Sequence, residues 1–201
     1  MAWRDAKASR VRLALFMASI VLGIAAVVSI QLFSKNLEDN IQRQSKTLMG
    51  ADFIIDSQQL PNERAQTIID SLGPDALEVN FVSMIAFPKN GGTKLVRVRG
   101  LEGDFPFYGT IDSKPASAAS NYQELGGALV DATLLLQFNI KPGDSIKIGE
   151  ITLPIIGSLK AIPGSSAIST SVAPPVIIPN RFIAQTELLQ FGSRKEYKFF
   201  Y

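Results

Sequence analysis

The feature that most constrains this chain is an uncharged apolar run near its amino end. The run extends from Leu13 to Ser34 and contains no charged residue between Arg12 and Lys35. A helix rises about 1.5 Å per residue and a bilayer core of about 30 Å needs roughly 20 apolar residues, so the run fits one crossing. Inside lipid, a single segment satisfies its own backbone hydrogen bonds only as a helix. The run therefore predicts a transmembrane helix over residues 13–34, with membrane-spanning positions at Leu13, Phe16, Ile20, Gly23, Val27 and Phe33.

Two other interpretations of this run fit less well. A secretory signal has an apolar core of about 7–15 residues and a small-residue cleavage site, whereas this run is longer and leads into SIQLFS without an A-x-A site. A buried helix of a soluble protein would show a polar face, but the first strongly polar side chain inside the run is Gln31. The membrane helix remains the favoured interpretation.

The charges that flank the run predict its orientation. Residues 1–12 carry Arg4, Lys7, Arg10 and Arg12 against the single acid Asp5. By the positive-inside rule, this basic tail stays in the cytoplasm of a bacterial cell, and residues 50–201 lie on the outer side of its inner (cell) membrane. The helix is expected to continue beyond the membrane over residues 35–49 and to stop at Gly50. Small residues at Ser19 and Gly23 predict close approach of other transmembrane helices.

Composition excludes several classes of function. The chain has 20 basic and 18 acidic residues, and removing the tail leaves 16 against 17, so the remainder is about neutral. A neutral domain gives no indication of a nucleic-acid partner. Cysteine and histidine are both absent, which excludes a disulfide-stapled fold, a thiolate metal site and a histidine general base. We therefore expect no enzyme activity and no cofactor.

The first part of residues 50–201 predicts an α+β fold. A strand over 51–57 precedes a helix that starts at Pro61-Asn62 and ends at Leu72. A strand over 77–87 follows, and then a strand with Val96 and Val98 inward and Arg97 and Arg99 outward. The order strand, helix, strand, strand indicates a mixed, mainly antiparallel sheet with short helices, arranged as one domain or two small lobes.

The second part contains one sharply defined hairpin. A two-residue Gly149-Glu150 loop suits a type II′ turn and pairs Ile148 with Ile151, Ile146 with Leu153 and Asp144 with Ile155. Around this hairpin the sequence predicts a structured loop over 100–119, a strand over 128–130, a helix capped by Asp131, a loop over 159–173, a strand over 175–178 and a helix capped by Asn180. The final KEYKFFY resembles a strand in mid-course, which predicts that the chain is the front part of a longer protein.

The sequence shows no recognised catalytic or metal-binding motif. Ser165 and Ser166 lack the G-x-S-x-G pattern, and Lys160 has no spacing that defines a Ser-Lys dyad. Three loop acids, Glu102, Asp104 and Asp112, could gather as a calcium site or carboxylate pair. They lack the ligand spacing of an EF-hand and are better explained as solvated. Gly91-Gly92 near Lys94 is too short for a Walker loop and indicates a turn.

An aromatic cluster from Phe105 to Tyr108 allows two interpretations. It is either a binding surface or a hydrophobic plug that folds back on the core, and ordinary burial of aromatic side chains favours the plug.

Four segments in order carry a resemblance to a known family. They are AWRDAKASRVRLALF at the start, LMGADFIIDS after the apolar run, VRGLEGDFPFYG in the middle, and LVDATLLLQFNIKPGDSIKIGE before a strand. Together they resemble permease subunits of MacB/FtsX-like ABC transporters, with a first membrane helix followed by a MacB-like periplasmic core domain. The resemblance extends over nearly the whole chain.

The resemblance implies a permease partnered by a separate cytosolic ABC ATPase, by other transmembrane helices of the same protein and by membrane lipid. It implies that ATP-driven motion reaches the extracytoplasmic domain, with the helix from Ser34 to Leu48 as the connection. Such families handle lipoproteins, lipids, peptides or drugs, or act on cell-wall enzymes, and the sequence does not choose among them. A single-pass membrane-anchored binding or scaffold module remains the alternative, and additional apolar spans in the full reading frame would favour the permease.

We expect the chain to stay in the membrane fraction, because its apolar run is more stable in lipid than in water. Detergent-free extraction should leave it in the pellet, and protease added to sealed spheroplasts should digest residues 50–201. Release of intact protein into a clear supernatant, or survival of this region under protease, would contradict the predicted anchor.

Overall fold

The amino-terminal part of the molecule is a single long helix. The structure, a computed structural model, describes residues 2–165, 172–189 and 195–201, without the side chains of residues 2–12 and 42–43. Helix α1 extends over Ala2–Met49 and ends one residue before Gly50, as the sequence predicts. In the described part of the chain, it alone is long and apolar enough to cross a membrane, with a mean hydropathy of 2.6 in its most apolar stretch. The chain divides into two compact units, Met1–Ser45 and Lys46–Tyr201.

The second unit is built on a nine-stranded mixed sheet with short helices, which confirms the predicted fold class. Among the described strands, β3–β8 and β5–β7 are parallel and the other pairings are antiparallel. The helices are α2 (Glu63–Leu72), α3 (Ala118–Leu125) and α4 (Ala132–Gln137). The strands are β1 (Ile54–Ser57), β2 (Ala76–Phe87), β3 (Gly92–Gly103), β4 (Asp112–Lys114), β5 (Ala128–Asp131), β6 (Ser145–Ile148), β7 (Ile151–Ala161), β8 (Pro175–Pro179) and β9 (Lys195–Phe200).

Six of these strands close into a ring. The sheet runs in the order β1-β9-β2-β3-β8-β5-β7-β4, and β6 pairs with both β2 and β7. The contact that closes the ring is short, with Ile85 opposite Ile148 and Ala86 opposite Lys147. Closure removes free edges from β2, β3, β8, β5, β7 and β6 over the paired lengths and surrounds an apolar interior.

The ring strands bury side chains in two hydrophobic clusters. The larger one contains inward side chains of the ring strands, including Phe81, Ile85, Val98, Ile146 and Val176. The smaller one lies on the opposite side of the strands and contains Leu101, Phe105, Tyr122, Leu129, Ile177 and Phe200. The strands β3, β5 and β8 therefore bury side chains on both of their faces.

Local signals in the sequence account for the ends of the helices. Asn62 caps α2 by accepting a hydrogen bond from the Ala65 amide at 2.9 Å, and Gly73 ends it with φ of 65°. Asp131 caps α4 by accepting from the Thr133 amide at 2.8 Å. Both caps are as predicted, because a short polar side chain in the N-cap position satisfies an amide that the helix leaves unpaired.

The β6–β7 hairpin has the predicted register. Ile148 pairs with Ile151 and Ile146 with Leu153, and the Ile155 amide donates to the Asp144 carbonyl at 2.8 Å just beyond β6. Gly149 has φ of 57°, the sign that a type II′ turn requires at this position.

Several predictions for the second unit are wrong. Arg99 lies on the outer face of β3, as predicted, but that face is covered at this position, so only 4% of Arg99 is exposed and it pairs with the buried Glu78. The expected loop over 100–119 contains the end of β3, all of β4 and the start of α3. The expected loop from Leu159 begins inside β7, and its residues 166–171 lie outside the described residues. After Asn180 the chain forms two 3-10 turns, Asn180–Phe182 and Ala184–Thr186, in place of a helix.

The hairpin tip gives a test of this fold. An alanine at Gly149 would keep a positive φ, and its Cβ would collide with the Thr186 carbonyl oxygen, whereas Gly91 has φ of 69° with open space around it. We expect Gly91→Ala to lower the free energy of unfolding by about 1 kcal/mol and Gly149→Ala to lower it by a further 1–3 kcal/mol or so from overpacking. Urea unfolding of the full chain in detergent micelles, followed by circular dichroism, measures both. Equal losses in the two variants would contradict the described contact.

Candidate functional site: the helix-end clamp

The carbonyl groups at the end of α1 are bound by two segments of the sheet domain. The Gly164 amide donates to the Leu48 carbonyl at 2.7 Å, and the Phe107 and Tyr108 amides donate to the Gly50 carbonyl at 2.8 and 3.3 Å. The last carbonyls of a helix have no partner within the helix. Here the carbonyl of Leu48, in the last turn, and that of Gly50, directly after the helix, are satisfied by residues more than 50 positions away in the sequence. We name this set the helix-end clamp, and it consists of Lys46, Leu48, Gly50, Asp52, Phe105, Phe107, Tyr108, Pro163 and Gly164.

Gly50 is the residue that lets the two segments approach. Its φ is 77°, and a Cβ at this position would lie 2.8 Å from the Phe105 ring and 3.0 Å from Pro163. Positive φ and the absence of a side chain are both properties of glycine at a helix end. A larger residue at position 50 would push Phe105 away from the helix end.

Asp52 forms the polar side of the clamp. Its carboxylate accepts from Lys46 Nζ at 2.5 Å and from the Tyr108 hydroxyl at 3.0 and 3.1 Å. Lys46 Nζ also lies 5.3 Å from the centre of the Tyr108 ring. The hydrogen bonds from Lys46 and then Tyr108 hold the pKa of the Asp52 carboxyl below its ordinary value, despite opposition from partial desolvation.

Aromatic rings form the apolar side. Phe105 is 5% exposed, and its ring centre lies 4.3 Å from that of Phe200. Phe53 stacks on Tyr201 with ring centres 4.5 Å apart, and the Asp52 amide donates to the Tyr201 carbonyl at 2.9 Å. The loop from Phe105 to Tyr108 therefore packs against the core as a plug and carries the backbone donors for Gly50.

The serines and the lysine considered for catalysis have other partners or lie outside the described residues. Ser165 Oγ is 3.1 Å from Arg99 Nη1, and Ser166 lies outside the described residues. Lys160 pairs with Asp112 at 3.6 Å. These contacts do not bring a general base to Ser165.

The three loop acids are only partly brought together. Asp104 and Asp112 line one open cleft of about 610 Å³ beside Tyr122, whereas Glu102 accepts from Asn180 at 2.8 Å. In the part of the chain that the structure describes, no group of three or more acids or other ligand residues is placed to hold a metal ion. Gly91 lies in the β2–β3 turn and Gly92 begins β3.

The predicted membrane-spanning side chains are exposed along α1. The exposed fraction lies between 46% and 68% for Leu13, Phe16, Ile20, Val27 and Phe33. Open space surrounds Gly23. Their contact with lipid stays a prediction.

No sequence pattern predicted the helix-end clamp as a site. Lys46, Asp52 and Tyr108 lie in three different local elements, and no periodicity connects them. The available signal was Gly50 directly after a long helix, in the segment LMGADF, because a glycine there predicts a helix end that another segment can approach closely.

The fold combines a long helix that is apolar enough to cross a membrane with an α+β sheet domain that binds the end of this helix. The sequence matches the family model of the MacB-like periplasmic core domain over residues 13–199. The chain therefore belongs to the MacB-like periplasmic core domain family, which confirms the resemblance noted in its sequence.

The individual relatives and solved structures that resemble this chain have low sequence identity to it. The chain is 25% identical over 183 residues to the uncharacterized ABC transporter permease YbbP of Escherichia coli (strain K12), covering 90% of this chain and 22% of YbbP. The periplasmic region of MacB from Actinobacillus actinomycetemcomitans has 12% identity and a TM-score of 0.39, with 72% of this chain and 66% of that one covered. The extracellular domain of the ABC-type transporter YknZ from Gram-positive bacteria has 12% identity and a TM-score of 0.42, with 73% and 82% covered.

The Asp52 interaction predicts a pH dependence. A carboxyl whose pKa is lower in the folded state stabilises that state above its unfolded pKa of about 4, and this stabilisation is lost as the pH falls through the folded pKa. Carboxyl NMR titration of the full chain in micelles should give an Asp52 midpoint below 3.8. Lys46→Met should raise that midpoint part of the way back, because the Tyr108 hydrogen bond remains.

Lys89→Met is the matched control for this titration. Lys89 Nζ binds Asp144 at 2.7 Å and, with the Lys141 amide, lowers the pKa of that carboxyl. Its loss should raise the Asp144 midpoint and leave Asp52 unchanged. An Asp52 midpoint that does not move in Lys46→Met would show that the ion pair does not form in solution.

Proposed function

We propose that this chain is part of an ABC transporter permease subunit, with its sheet domain outside the cytoplasm. In this proposal residues 1–12 form a cytoplasmic tail, residues 13–34 cross the bacterial inner membrane, residues 35–49 extend the helix, and residues 50–201 form the extracytoplasmic core. Support comes from the family match over residues 13–199, from the permease named YbbP among its relatives and from the basic tail before the apolar run. The chain spans 22% of the length of YbbP, so a complete permease would contain further membrane helices.

The role of the chain in this proposal is to transmit motion and not to catalyse a reaction. A separate cytosolic ATPase supplies energy, and movement of the first membrane helix reaches the sheet domain through the helix-end clamp. The observation that carries this proposal is the double attachment of the helix end, where Leu48 and Gly50 carbonyls accept from two separate segments at 2.7–3.3 Å. A helix end held only by its own chain would swivel about Gly50, because glycine permits many backbone conformations.

A single-pass binding or scaffold module is the second candidate. The exposed membrane-spanning positions and the clamp fit it equally well, since a scaffold also needs a firm attachment to its anchor. It differs from the permease in having no ATPase partner and no response to nucleotide.

We expect a cytosolic ATPase to copurify with the full-length protein, and ATP to change amide exchange in the sheet domain when the complex is in lipid nanodiscs. Gly50→Ala should reduce that ATP-induced change while ATP hydrolysis continues, because its Cβ would lie 2.8 Å from the Phe105 ring and 3.0 Å from Pro163 and would push both segments away from the helix end. Hydrogen exchange with mass spectrometry, with and without ATP, measures the response of each strand.

Gly91→Ala provides the control, because Gly91 also has a positive φ but has open space around it and lies outside the clamp. It should respond to ATP like the unmodified protein. If no ATPase copurifies and nucleotide has no effect, the scaffold is favoured. If the clamp variant responds fully to ATP, the proposed route of transmission is wrong.

A further inference from the structure

Arg99 lies beneath the helix-end clamp in a buried ion pair. It projects from β3 and is 4% exposed, and its partner Glu78 on β2 is fully buried. Arg99 Nε donates to Glu78 Oε1 at 2.8 Å and Nη2 to Oε2 at 2.5 Å. This bidentate geometry uses one edge of the guanidinium group and leaves Nη1 free to serve another partner.

The remaining nitrogen reaches the turn Pro163–Ser165, which we name the first arm of the clamp; the second arm is the loop from Phe105 to Tyr108. Arg99 Nη1 donates to the Pro163 carbonyl at 3.4 Å and to Ser165 Oγ at 3.1 Å. The residue between these two, Gly164, donates its amide to the Leu48 carbonyl of α1. The turn that binds the helix end is thus held on its other side by Arg99.

The same guanidinium group contacts the second arm. Its carbon lies 5.9 Å from the centre of the Phe105 ring, within the range of a cation–π interaction. Phe105 is the ring that a side chain at Gly50 would strike, and it leads into the amides of Phe107 and Tyr108 that bind the Gly50 carbonyl. The side chain of Arg99 therefore contacts both arms of the clamp.

Stability alone does not explain a charge pair in this position. Buried ion pairs can often be replaced by apolar side chains of similar volume without loss of stability, because desolvation offsets the Coulomb attraction. What an apolar pair cannot supply is a donor to the Pro163–Ser165 turn together with a cation beside Phe105.

We propose that Arg99 is a positioning residue that keeps both arms of the helix-end clamp in contact with the end of α1, oriented for this task by Glu78. This inference deepens the proposed function and rests on it for its biological meaning. Lysine does not substitute, because its ammonium group is a compact point charge and lacks the planar fork with which Arg99 binds both oxygens of Glu78 and the turn at once.

The test compares three variants of the full chain in detergent micelles. Arg99→Lys keeps the charge pair with Glu78 but removes the fork of donors. Glu78→Leu combined with Arg99→Met removes both charges, so that neither is left unpaired in the interior. Arg97→Lys is the control on the same strand, since Arg97 Nη1 reaches only Asn80, at 3.4 Å, among the described residues.

Amide exchange measured by NMR separates positioning from general stability. In Arg99→Lys and in the double variant, the Gly164 amide should exchange at least about tenfold faster, the factor expected for loss of a charge-assisted hydrogen bond. The Phe107 amide should also exchange faster. Amides of Leu129 and Ile177, in the ring strands β5 and β8, should keep their rates, and Arg97→Lys should leave all four unchanged.

Two results would overturn the inference. One is an unchanged Gly164 rate in the double variant, which would show that the turn holds the helix end without Arg99. The other is a proportional rise at Gly164, Phe107, Leu129 and Ile177, which would assign Arg99 a merely structural role. Because the measurement needs neither ATPase nor nucleotide, it can succeed when the proposed permease function fails, and the reverse is equally possible.

Discussion

The molecule depends on how the free carbonyl groups at the end of a long helix are satisfied. A helix leaves its last carbonyls unpaired, and those of α1 lie where the chain enters a sheet domain. Water could donate hydrogen bonds to these carbonyls, but here the amides of Gly164, Phe107 and Tyr108 donate them. Backbone hydrogen bonds have short, directional geometry, so they fix the helix end with respect to both segments at once. A contact between flexible side chains would not impose the same restriction.

The apolar surroundings strengthen this attachment. Phe105 and Phe200 pack at 4.3 Å beneath Gly50, and hydrogen bonds are stronger electrostatically where water is excluded. Above them the Lys46–Asp52 pair is about half exposed, and exposed pairs contribute little to stability. The clamp is therefore held mainly by backbone hydrogen bonds and packing, while Asp52 and Tyr108 fix the geometry of its rim.

The parts of the fold that the sequence predicted are those encoded within a few residues. The Gly149-Glu150 hairpin was predictable because turn chemistry and hydrophobic alternation specify the same register. Asp131 was predictable as a cap because its oxygen needs only an amide two residues away. Helix α3 was missed because it has only eight residues and its N-cap residue Ser117 makes no side-chain cap. Ring closure through Ile85 and Ile148 depends on residues 63 positions apart, and no local pattern encodes it. The clamp was missed for the same reason.

Arg99 shows why alternation along a strand can mislead. Its neighbours Val96 and Val98 are fully buried on the inner face of the ring, so the pattern places Arg97 and Arg99 on the other face, which is correct. That face, however, is not exposed to solvent along its whole length. At the Arg99 end it is covered by the second hydrophobic cluster, with Leu101 and Phe105 among its members, whereas at the other end Val82, Met84 and Leu95 are exposed. A charged side chain under such a cover persists only with a complete set of partners, and Glu78 with the Pro163–Ser165 turn supplies them. The position of Arg99 is therefore a consequence of the clamp above it as much as of the strand that carries it.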